Sequence, residues 1–120
     1  MAGITTDDLL RRLADTCQLS ALVESYAVEN SDVDTLSVRV FLTDHTFINV
    51  FYNLATNKVA FAWIRENKRL YGKDNAKHGW HAHPFDAPEN HQPCEAIDFE
   101  SFLREVEALY TQTNFRTDEK

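Results

Sequence analysis

The sequence predicts an α+β fold, an antiparallel meander of about five or six strands with an N-terminal and a C-terminal helix packed on one face. Three observations carry this. Apolar residues recur at helical spacing only near the two ends of the chain. Between them the period shortens to two. The strand-like runs are separated by polar turns of two to five residues, which join antiparallel neighbours.

Thr5-Thr6-Asp7-Asp8 supplies a hydroxyl N-cap and acids for a first helical turn. Leu9, Leu10, Leu13, Ala14 and Cys17 then form one apolar face. Residues 22–29 read as a strand, and Asn30-Ser31-Asp32 as the turn that ends it. Residues 36–42 alternate cleanly, with Leu36, Val38, Val40 and Leu42 on one side and Ser37 and Arg39 on the other. Asp44-His45 turns the chain into strand 46–53, and Ala55-Thr56-Asn57 turns it into strand 58–65. Glu66-Asn67 is a tight turn from which Lys68 to Tyr71 pair back. Asp98 is a natural N-cap for the closing helix, with Ile97 placed to staple against Phe102. Phe99, Phe102, Leu103, Val106, Leu109 and Tyr110 make its apolar stripe. Residues 1–112 form one α+β domain and residues 113–120 a polar C-terminal tail.

Both helices cover one face of the sheet, so the other face needs an explanation. Phe41, Phe47, Phe51, Phe61 and Trp63 are its aromatic candidates, and a homodimer through that face is the simplest way to cover them.

The chain has 120 residues and a net charge of −7. That length suffices to bury about 65–70% of the unfolded surface without staples. No apolar run approaches the roughly 20 residues needed to span a bilayer. The start of the chain lacks the pattern of a secretory signal, so the expected compartment is the cytoplasm. Cys17 and Cys94 form no CxxC pair and read as free thiols. The acidic balance excludes a protein that coats nucleic acid through bulk charge. The positive charge is concentrated, however. Residues 58–83 are net +4 through Lys58, Arg65, Lys68, Arg69, Lys73 and Lys77, whereas the segments before and after are net −5 and −6.

That basic stretch runs into HGWHAHPFDAPENH, residues 78–91, which holds four of the five histidines. Five of the six glycines and prolines lie between Gly72 and Pro93, so the irregular backbone is also here. Sites concentrate in such loops when a rigid scaffold holds them. If residues 79–83 are extended, His81 and His83 point to one face and Trp80 and Ala82 to the core. Their imidazoles can then meet a common divalent metal ion, with His78, His91, Asp74 or Asp86 as further ligands. The metal candidates are His78, His81, His83 and His91.

The same residues suit metal-free phosphoryl transfer. His81 and His83 would serve as acid and base, and Asp74 would orient one of them. Lys68, Arg69, Lys73 and Lys77 could meet phosphate oxygens, and Trp80 could stack a base. The bland alternative is a structural loop in a non-enzymatic, partner-binding homodimer. His45, at a hairpin tip, reads as solvent-exposed.

The stretch YGKDNAKHGWHAHPF and the helix IDFESFLREVEAL, within residues 41–110, resemble the TumE-like family of small toxin–antitoxin proteins. The matching positions are Asp74, Asn75, Ala76, His78, His81 and His83. Trp80 and Ala82 interrupt what is a denser histidine run in the family, and Pro84 follows. The N-terminal helix lies outside this likeness. The resemblance implies an α+β toxin paired with an antitoxin-type protein. Joined to the histidines and the basic approach, it makes RNA the expected target.

Overall fold

The computed structural model describes the backbone of residues 3–76, 79–85, 87 and 89–118, and their side chains up to residue 110. Helix α1 (Thr6–Leu19) is followed by strands β1 (Val23–Ser31), β2 (Thr35–Leu42), β3 (Phe47–Asn53), β4 (Lys58–Arg65), β5 (Lys68–Asp74), β6 (His81–His83) and β7 (Gln92–Pro93). Helix α2 (Phe99–Asp118) closes the chain. All strands join one antiparallel sheet in the order β1-β2-β3-β4-β5-β6-β7. The two strands beyond the main meander, β6 and β7, are short segments drawn from the histidine-rich loop.

The helix starts are built as their sequences suggest. The Thr5 hydroxyl accepts from the Asp8 N–H while the Asp8 carboxylate accepts from the Thr5 N–H, closing a capping box. Asp98 Oδ1 accepts from the Ser101 N–H at 2.9 Å. Helix α2 continues to Asp118, through residues whose polarity suggests a tail.

Strict alternation on β2 and β3 sends Leu36, Val38, Val40, Leu42, Ile48, Val50 and Tyr52 inward. Phe61 and Trp63 of β4 join them, and Leu13, Cys17, Phe99, Phe102, Leu103 and Val106 cover this face from the helices. Phe61 and Trp63 are therefore core residues and not part of the uncovered face. Each is 2% exposed. Burial in this core pushes the Cys17 thiol up to about 11, and both cysteines are free.

Phe41, Phe47 and Phe51 do lie on the opposite face, where they are half-buried. Phe41 packs against Phe47, and the Arg39 guanidinium sits 4.4 Å from the Phe47 ring centre. The cross-strand rows of that outer face run outward to the histidines. One row passes Arg39, Asn49, Ala62, Gly72 and His83, and the next passes Ser37, Phe51, Ala60, Asp74 and His81.

Candidate functional site

Asp74 ends β5, and the next residue fixes it. The Asn75 side chain accepts from the Val59 N–H at 2.8 Å and donates to the Asn57 carbonyl at 2.6 Å. Its own N–H donates to the Val59 carbonyl. The chain leaving β5 is thus clamped to the start of β4. The Ala76 N–H donates to Asp74 Oδ1 at 3.0 Å, which orients the carboxylate.

Pairing of β6 with β5 sets His81 opposite Asp74 and His83 opposite Gly72. His81 Nε2 lies 3.1 Å from Asp74 Oδ1, and His83 Nε2 lies 3.0 Å from Asp74 Oδ2. His91 closes the group from the following loop. Its ring stacks on His81 at 4.9 Å between centres and stands edge-on to His83 at 4.5 Å. One ring nitrogen from each of His81, His83 and His91 lies within 4.8 Å of the other two. The cluster can hold a metal ion, since three imidazoles are a common donor set for first-row transition metals.

The environments differ sharply. The His83 side chain is 4% exposed, and its buried Nδ1 has no hydrogen-bond partner among the described residues. His81 is more open and donates Nδ1–H to the Gly79 carbonyl at 3.1 Å. Gly79 adopts φ +104, a conformation that suits glycine. His91 is exposed. Its pKa is lowered by loss of solvent around the ring, then by the neighbouring His83, His81 and Arg69 charges, with Asp74 opposing. Burial works to raise the Asp74 pKa, but the Ala76 N–H and the two imidazoles outweigh it and the carboxyl ends below its ordinary value.

The cluster opens into a cavity of about 520 Å³ whose wall includes Arg69, Trp80, Gly79 and Pro93. Gly72 lies beneath it. A Cβ there would sit 3.0 Å from the Phe61 carbonyl oxygen and 3.1 Å from Arg69 Cδ, so the glycine leaves room for the neighbouring strand and the arginine side chain.

The basic candidates separate. Arg69 and Trp80 reach the cavity. Lys68 is exposed at the Glu66-Asn67 turn and is not part of the cavity wall. Lys73 faces the helices and pairs with Glu105 of α2 at 3.0 Å, beside the Tyr71 hydroxyl, which donates to the same carboxylate at 2.6 Å. Lys77, His78 and Asp86 lie outside the described residues. His45 is exposed at its hairpin tip, away from the cavity. Two contributors were not singled out from the sequence, the Gly79 carbonyl and the Asn75 clamp. A His-Gly pair before an extended segment was the available signal for the first.

No helix among the described residues is long and apolar enough to cross a membrane. No curated protein and no solved structure matches the chain. The family model described as Toxin TumE matches residues 9–110. The match takes in most of α1, which the sequence likeness left out, as well as every strand and the whole histidine cluster. The chain therefore belongs to the TumE toxin family.

Proposed function

We propose that this toxin-family protein binds and cleaves RNA at the cavity between β5, β6 and the loop that carries His91. The observation behind this reading is the meeting of three imidazoles, one carboxylate, Arg69 and Trp80 around one opening. Its volume falls within the roughly 300–1,000 Å³ typical of small-ligand sites, enough for one nucleotide unit and too little for a duplex. Arg69 meets non-bridging phosphate oxygens, and Trp80, half-buried against the core, lines the opening where a base would lie.

At a phosphodiester, imidazoles either transfer protons or seat a cation. The hydrogen bonds favour the second. His81 and His83 bring Nε2 to within 3.1 and 3.0 Å of the two oxygens of one carboxylate, a nitrogen–oxygen set that a cation can share. Asp74 orients the rings in the first case and can join the cation in the second. Family membership supports an antitoxin-type protein as the partner that restrains the site.

The test compares purified wild type with His81→Ala/His83→Ala and with Arg69→Ala, measuring cleavage of single-stranded RNA and growth arrest on expression. The double variant should lose both activities. Arg69→Ala should lower cleavage by about 10²-fold, the usual cost of removing one donor to a developing charge. Thermal unfolding of each variant separates loss of activity from loss of fold. A folded double variant that still cleaves RNA and arrests growth as wild type does refutes the proposal.

A further inference from the structure

With His81 neutral, its ring faces two acceptors with only one N–H to offer. A neutral imidazole has one N–H and one lone pair. His81 presents Nδ1 to a carbonyl oxygen and Nε2 to a carboxylate oxygen, and both of these are acceptors. Since Nδ1–H donates to Gly79, the Nε2 lone pair of the neutral ring faces Asp74 Oδ1 across 3.1 Å, a place that either a second proton or a cation fills. Separately, the buried Nδ1 of His83 has no hydrogen-bond partner among the described residues.

We propose that a first-row divalent transition ion takes the place of that second proton, held by ring nitrogens of His81, His83 and His91 with Asp74 completing the donor set. The contact lengths suit this. With metal–ligand bonds of about 2.0–2.1 Å, neighbouring ligand atoms lie about 3.0 Å apart in an octahedral site and about 3.4 Å apart in a tetrahedral one. The two nitrogen–carboxylate contacts, 3.1 and 3.0 Å, match such edges. The Nδ1–H of His81 on a backbone carbonyl is the outer-shell bond that metal-bound histidines commonly make, and it leaves Nε2 for the ion. The ion is of the zinc, cobalt or nickel class, because imidazole-rich sites select these over magnesium or calcium.

The ligands come from unequal places. Asp74, His81 and His83 stand on paired strands, whereas His91 stands on the loop between β6 and β7. Binding therefore ties His91 to the paired strands. The three ring nitrogens, within 4.8 Å of one another, would close to ligand spacing around the ion.

This inference stands apart from the RNA reading, and its test contains no RNA. The full chain is stripped with a chelator and titrated with Co²⁺ and Zn²⁺, followed calorimetrically and by the visible ligand-field spectrum of Co²⁺. The expected result is one ion per chain, a Co²⁺ spectrum showing nitrogen ligation, and a rise of several degrees in the unfolding midpoint. His91→Ala removes an exposed side chain and leaves the fold in place, and it should weaken binding at least tenfold. Asp74→Asn should alter the Co²⁺ spectrum. Absence of saturable one-to-one binding, or an affinity unchanged by His91→Ala, overturns the site. A spectrum unchanged by Asp74→Asn overturns the carboxylate's place in it. Metal binding without RNA cleavage would defeat the functional proposal and leave this one standing.

Discussion

At the scale of single residues, the polar atoms sealed into the core repay attention. Thr46 is 1% exposed and sits just before β3. Its hydroxyl accepts from the Trp63 indole N–H at 2.8 Å and donates to Asp44 Oδ1. Trp63 is a large core side chain, and Phe85, two residues after His83, stacks on it at 5.7 Å. This relay thus holds the wall against which the start of the histidine loop leans. Thr46→Val keeps the shape but leaves a buried indole N–H without an acceptor, which costs about 1–3 kcal/mol. Thr46→Ser retains the hydroxyl and should cost clearly less. Urea unfolding of the two variants tests this, and equal losses would show that packing matters here instead of the hydrogen bond.

At the scale of elements, α2 depends on how its first turn is held. The Asp98 pKa is lowered chiefly by the Ser101 backbone N–H, then by the Ser101 side chain, with burial opposing. A carboxyl whose folded pKa lies below its unfolded value of about 3.9 contributes stability that is fully present above that value. The contribution is lost as pH falls through the folded pKa. Asp98→Ala should therefore cost about 1 kcal/mol near neutrality. The stability gap between wild type and Asp98→Asn should hold steady above about pH 5 and shift only below pH 4. Denaturant melts at pH 3, 5 and 7 would show it, and a gap that moves between pH 5 and 7 would contradict the assignment.

Elements also show what could be read from the sequence. The helix caps, the hairpin turns and the inward faces of β2 and β3 were legible because each rests on neighbours in the chain. The placement of His81 and His83 on one face followed from the period of two. The fate of the basic residues did not follow, because a bulge intervenes. Tyr71 pairs with Trp63 and Arg69 pairs with Ile64, so Leu70 is the extra residue and the alternation on β5 changes phase there. Arg69 is thereby turned to the outer face with Gly72 and Asp74, while Tyr71 and Lys73 turn to α2. A one-residue shift of this kind depends on the partner strand and leaves no mark in local composition. The assignment of Phe61 and Trp63 to the uncovered face failed for the related reason that phase along β4 is set by its pairing with β3.

At the scale of the whole molecule, the question is how a chain of net charge −7 could hold RNA. Its overall field repels a polyanion, so affinity cannot come from a broad basic surface. The pairing of Lys73 with Glu105 removes one of the nearby cations from service. The positive charge at the cavity is local, with Arg69 on the wall beside the histidines. Binding should therefore depend on about one or two phosphate contacts, and for single strands the logarithm of affinity falls with the logarithm of salt at about −0.7 per contact. The expected slope is about −0.7 to −1.4, and Arg69→Ala should reduce it by about 0.7. Fluorescence anisotropy with a short labelled single strand across a salt series gives both slopes. A steep wild-type slope, on the order of −4 or beyond, would place the RNA on an extended basic surface instead of in the histidine cavity. A slope that Arg69→Ala leaves untouched would remove this arginine from the phosphate contact.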